Sequence, residues 1–133
     1  MRLEGRSNHS GAVVSIAGYY AVTGNGGEYG FEHIPAGVWS AVARHEGYLS
    51  ALRYPVTVLP GQDALLPELT LRSGDVNGDC AIDLFDLVLV ALAYNPYGPA
   101  SDPRADLNAD GVVNLLDLVL VSTNYSLHCP QTW

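Results

Sequence analysis

The sequence predicts a mixed chain of two small domains, an N-terminal antiparallel β-sandwich over 1–72 and a C-terminal α-helical pair of loop-and-helix repeats over 74–133. Two observations carry this division. Up to about Arg72, short β-branched and aromatic runs are separated by Gly, Pro and Asn turns. Beyond Ser73-Gly74 the apolar residues fall at helical spacing, in two segments that repeat with an offset of 31 residues.

In the first region the patterns predict strands over 12–17, 19–23, 28–32, 38–45, 49–58 and 64–71. Thr23-Gly24-Asn25-Gly26-Gly27-Glu28 reads as a hairpin turn, because Asn and Gly tolerate the positive φ that such turns need. Along the fourth strand Val38, Ser40 and Val42 share one face and Trp39, Ala41 and Ala43 the other. Several short strands at this spacing suggest an antiparallel sandwich.

In the second region Leu84, Leu87, Val88 and Ala91 recur at helical spacing, as do Leu115, Leu118, Val119 and Ser122. Ten of the twenty positions in 75–94 are identical in the copy beginning at Asp106. The repeats span 75–95 and 106–126, and Asn95-Pro96-Tyr97-Gly98-Pro99 stops the first helix.

Composition narrows the function classes. Nearly half of the 133 residues are apolar, enough for a packed core. The net charge is −8, there is no lysine and the six arginines are scattered, so no basic stripe exists to neutralise phosphates. No run of about 18 apolar residues predicts a membrane span. The opening Met1-Arg2-Leu3-Glu4-Gly5 lacks the apolar stretch of a signal peptide, so an extracellular chain would be read here in trimmed form. His9, His33, His45 and His128 lie at no nucleophile spacing, and no catalytic motif accompanies them, so no enzyme is expected.

The chemistry lies in the acidic clusters. Seven aspartates fall within 75–86 and 106–117. The first stretch offers oxygens at Asp75, Asn77, Asp79, Asp83 and Asp86, the second at Asp106, Asn108, Asp110, Asn114 and Asp117. These are positions 1, 3, 5, 9 and 12 of an EF-hand-like loop, with Ala81 and Val112 at position 7 to offer backbone carbonyls. Ca²⁺ takes six to eight hard oxygens at about 2.3–2.6 Å, and a short turning loop can supply them. Two Ca²⁺ ions are expected. Position 12 is normally Glu; here it is Asp twice, and no helix is predicted ahead of either loop.

Two resemblances follow from these residues. Gly27-Glu28-Tyr29-Gly30-Phe31 through Pro35-Ala36-Gly37-Val38-Trp39, with Gly47-Tyr48 beyond, resembles the carboxypeptidase regulatory-like (transthyretin-like) β-sandwich. That likeness implies an accessory domain without catalytic residues, although only Arg2-Leu3-Glu4 stands where a longer first strand is usual. Asp75-Val76-Asn77-Gly78-Asp79 followed by Asp86-Leu87-Val88-Leu89-Val90, and its copy, resemble the type I dockerin. The likeness implies docking onto a cohesin-like domain through loop positions 10 and 11, here Leu84, Phe85, Leu115 and Leu116, four apolar residues where many dockerins carry hydroxyls. It also implies that the C-terminal end returns beside the first loop, bringing Cys129 to Cys80 as a disulfide; two buried free thiols are the alternative. Cys80 occupies position 6, where Gly usually makes the sharp turn. The short first strand motivates a second reading, a calcium-stabilised subunit that joins copies of itself into an extracellular filament or surface layer.

Overall fold

The computed structural model describes residues 1–133. Its strands are β1 (Arg2–Leu3), β2 (Val13–Ile16), β3 (Tyr19–Val22), β4 (Gly37–Arg44), β5 (Gly47–Tyr48), β6 (Ala51–Val58), β7 (Thr70–Leu71) and β8 (Ser73–Asp75). Two helices follow, α1 (Leu84–Leu92) and α2 (Leu115–Thr123), and the chain ends on β9 (Gln131–Thr132). The main sheet has the order β3-β2-β4-β6-β9. Its pairings are antiparallel except the last, where β9 lies parallel to β6 with Ala51 opposite Gln131.

One face of this sheet is buried and one is open, as period-two alternation requires. Val14, Ile16, Ala41, Ala43, Ala51 and Val56 point inward beneath Leu3, Leu69, Leu71, Tyr48 and Trp133. Alanines at three central inward positions leave room for the large covering side chains. The cover is thin. β1 and β7 form a separate parallel pair, and the rest is irregular chain. The short first strand therefore borders its own small sheet, and the edges of the main sheet are β3 and β9.

One expected strand is absent and another is cut short. The 28–32 segment turns away after a tight closure, in which the Gly27 N–H donates to the Gly24 carbonyl and the Gly24 N–H to that of Glu28. Gly27 has φ +81, and an added Cβ would run into the Met1 carbonyl, so no other residue fits there. Tyr29 and Phe31 then meet edge-on and pack against the core without a partner strand. Of the 64–71 segment, β7 alone is strand. Pro67 interrupts the run, and proline brings no N–H to a ladder.

The two halves exchange elements. A second core beneath the helices gathers Val76, Ile82, Val90, Ala93, Ala105, Leu107, Val113 and Val121, and Leu49 from the β-half completes it. In return, Trp133 from the end of the helical half sits in the sheet core. Its indole N–H donates to the Pro67 carbonyl at 3.0 Å, and its own carbonyl accepts from Arg53 Nη1 at 3.0 Å. β8 pairs with β5 across the same junction.

Trp133→Ala should remove the plug that the tail inserts into the sheet core. Truncating a buried Trp typically costs about 3–5 kcal/mol. Urea unfolding followed through the β-sheet signal should show a loss of that order.

Candidate metal centre and docking face

Each loop is built by its own carboxylates. Asp83 and Asn114 are the N-caps of α1 and α2, accepting from the N–H of Phe85 at 2.8 Å and of Leu116 at 2.7 Å. Asp86 and Asp117, at the third helical position, close a capping box and are fully buried. Asp86 Oδ1 accepts from the N–H groups of Val76 (2.8 Å) and Asn77 (3.1 Å), and Oδ2 from that of Asp83 (2.9 Å). Asp117 repeats the pattern with Leu107 (2.8 Å), Asn108 (3.3 Å) and Asn114 (2.9 Å). One carboxylate thus ties the start of each loop to the start of its helix.

Between these ends the turn is sharp. Asn77 Oδ1 accepts from the Asp79 N–H and Asn108 Oδ1 from the Asp110 N–H, both at 2.9 Å. Positions 4 and 6 carry positive φ in both loops: Gly78 at 76° and Cys80 at 73°, Ala109 at 58° and Gly111 at 94°. Cys80 therefore holds the conformation that favours glycine. A covalent tie accompanies it, because Cys80 is disulfide-bonded to Cys129 with their Cα atoms 5.1 Å apart. Both sulfurs being bonded to each other, neither is a thiolate metal ligand.

The loops do not pair with each other. Each pairs with the chain leaving the other repeat's helix. The Ser126 N–H donates to the Ile82 carbonyl at 2.8 Å, and 31 residues away in both partners the Asn95 N–H donates to the Val113 carbonyl at 2.9 Å. The sequence repeat has become a pseudo-two-fold.

The donor set fits a hard cation. None of the seven loop aspartates forms an ion pair; the molecule's three are Arg2–Glu68, Arg72–Glu4 and Arg104–Asp102. Asp75 Oδ2 accepts from the Cys80 N–H at 3.2 Å, while the buried Oδ1 has no partner at all. Burial, foremost, pushes the carboxyls of Asp75 and Asp117 above the usual range. Asp110, exposed, is held below it, mainly by the Val112 N–H. A buried carboxylate oxygen left without a donor is costly, and a cation among these oxygens would supply what the side chains do not.

The four expected contact residues lie on the surface: Leu84 is 59%, Phe85 70%, Leu115 63% and Leu116 58% exposed. Val88 and Leu92 extend the stripe along α1, and Val119 extends it along α2. The buried faces are Asp86, Val90 and Ala93, and Asp117, Val121 and Asn124. Sequence reasoning missed Asn124, which caps α2 and donates through Nδ2 to the Ser73 carbonyl at 2.9 Å and to Glu4 Oε2. Its counterpart in the first repeat is Ala93, and that difference between the copies was the available signal.

Residues 73–125 match the family model of the Dockerin type I domain. Two solved chains are similar over both halves, each covering 90% of this chain and 83% of its own, with TM-score 0.77 and 26% identity. They come from type II cohesin–X–dockerin complexes of Acetivibrio cellulolyticus, one a C-terminal and the other an N-terminal interface mutant. No curated protein matches the chain.

The disulfide has a direct check in protein folded under oxidising conditions. Alkylation of the denatured, non-reduced chain should leave its intact mass unchanged. Two alkyl groups per chain would refute the bond.

Proposed function

We propose that this chain is a non-catalytic, calcium-dependent docking module that binds a cohesin-like domain outside the cell. The observation that carries this reading is the pairing of exposed Leu84-Phe85 and Leu115-Leu116 at the same place on two symmetry-related loops. Both pairs rest on buried Asp86 and Asp117, so their positions depend on the loops being formed. Similarity to chains of cohesin–dockerin complexes supports the class of partner.

Asp75, Asn77, Asp79, Asp83 and Asp86 with the Ala81 carbonyl would hold one Ca²⁺. Asp106, Asn108, Asp110, Asn114 and Asp117 with the Val112 carbonyl would hold the second. The ion supplies positive charge that neutralises the clustered carboxylates and fixes the helix starts. The 1–72 region, carrying the carboxypeptidase regulatory-like pattern, and the 74–133 region act as one body through the exchanged Leu49 and Trp133. The disulfide suits an oxidising, extracellular setting.

Immobilised cohesin domains of both types test the reading. The chain should bind at least one type in calcium and be released by chelator. Retention that is indifferent to calcium would contradict it. Association of the chain with itself, without retention on any cohesin, would favour the self-assembling subunit.

Phe85→Asp alone should weaken binding partly, since the pseudo-two-fold offers a second copy of the surface. Phe85→Asp with Leu116→Asp should weaken it far beyond the separate losses, the non-additivity expected of alternative modes. Surface plasmon resonance on folded, calcium-loaded variants measures this, and full-strength binding by the double variant would show the interface to be elsewhere.

A further inference from the structure

The two loops are alike in sequence but are braced by different devices. The first is tied covalently through Cys80 at its sixth position. The second has Gly111 there and no such bond. What holds it comes from the β-half. The Leu107 carbonyl accepts from Arg6 Nε at 3.0 Å and from the Tyr48 hydroxyl at 3.2 Å. No side chain bonds the corresponding Val76 carbonyl of the first loop.

The peptide so gripped is a consequential one. Its carbonyl belongs to Leu107 and its N–H to Asn108, and that N–H donates to Asp117 Oδ1. Holding the carbonyl therefore fixes both the residue at position 3 and the carboxylate at position 12. Donors on the carbonyl also polarise the peptide and strengthen its N–H as a donor. The grip is itself anchored. The Tyr48 ring is buried against His45 at 5.0 Å between centroids, and the Arg6 guanidinium lies 5.5 Å over it. The single hydroxyl proton is shared between the Leu107 carbonyl and the nearer Glu4 carbonyl at 2.9 Å, a three-centre bond that ties the loop to the first strand. Burial pushes the phenol pKa up to about 12, so it remains a donor at physiological pH.

We propose that Tyr48 and Arg6 are positioning residues for the second calcium loop, doing for it what the Cys80–Cys129 disulfide does for the first. This rests on the calcium reading above. A loop ordered in advance loses less freedom when the ion binds, and it binds more tightly for that reason.

Calcium titration of the full chain, followed by NMR, separates the two sites, because Gly78 reports the first loop and Gly111 the second. Tyr48→Phe keeps the ring and removes the hydroxyl. It should shift the Gly111 midpoint to higher calcium by about two- to fivefold, a full hydrogen bond of about 1 kcal/mol being the upper bound for a shared proton, and leave Gly78 in place. Hydrogen-exchange protection of the Asn108 amide should fall, with that of Val14 in the sheet unchanged. Cys80→Ser with Cys129→Ser should do the reverse, moving Gly78 alone. Arg6→Met guards against a folding defect in the tyrosine variant. Loss of its positive charge would by itself tighten the second site, so weakening there supports the clamp. Equal shifts at both glycines, or none, would overturn the proposal while leaving the calcium reading intact. Absence of any calcium response in the unmodified chain would overturn both.

Discussion

The rest of the structure hangs on a buried carboxylate at the twelfth position of each loop. Asp86 and Asp117 reach no solvent and no side-chain cation, yet each gathers three backbone N–H groups that would otherwise have no partner. Those bonds begin the helices, close the loops and fix the residues at positions 10 and 11 on the surface. Their cost is electrostatic. Two carboxylates about 4 Å apart repel by roughly 4 kcal/mol at an effective dielectric near 20, and each loop clusters several. A divalent cation would reverse the sign of that sum, and the functional reading follows from this need.

The β-half contributes by contact. Glu4 receives Arg72 Nη1 at 2.6 Å, the Ser73 N–H at 3.1 Å and the Asn124 amide, so one carboxylate joins the first strand, the junction and the end of α2. Gly5 lies so near the Leu120 side chain that a Cβ would sit 2.7 Å from it. With Leu49 in one core and Trp133 in the other, each half completes the core of its neighbour. Both braces act on this frame, one through the chain's end and one through its beginning.

Much of this was legible in the sequence. The loop register, the repeat, the helix starts and β2, β3, β4 and β6 can be read locally, because side-chain spacing and turn residues decide them. The Cys80–Cys129 pairing came from family likeness, and the structure forms that bond. The segments 28–32 and 64–69 have strand composition but no neighbouring strand, and a single strand's pattern does not reveal whether a partner exists. The exchange of Leu49 and Trp133 between cores was hidden for a related reason: an apolar residue announces burial, not which core buries it. Tyr48 and Arg6 were equally silent, since their partner is a backbone carbonyl about a hundred residues from Arg6.

The central claim, that both carboxylate clusters are built around a divalent ion, has a direct test. Isothermal titration of the chelator-stripped, dialysed chain with CaCl₂ should show two equivalents bound, within the loop-family affinity range of about 10⁻⁹ to 10⁻³ M. A stoichiometry of zero or one would contradict the account.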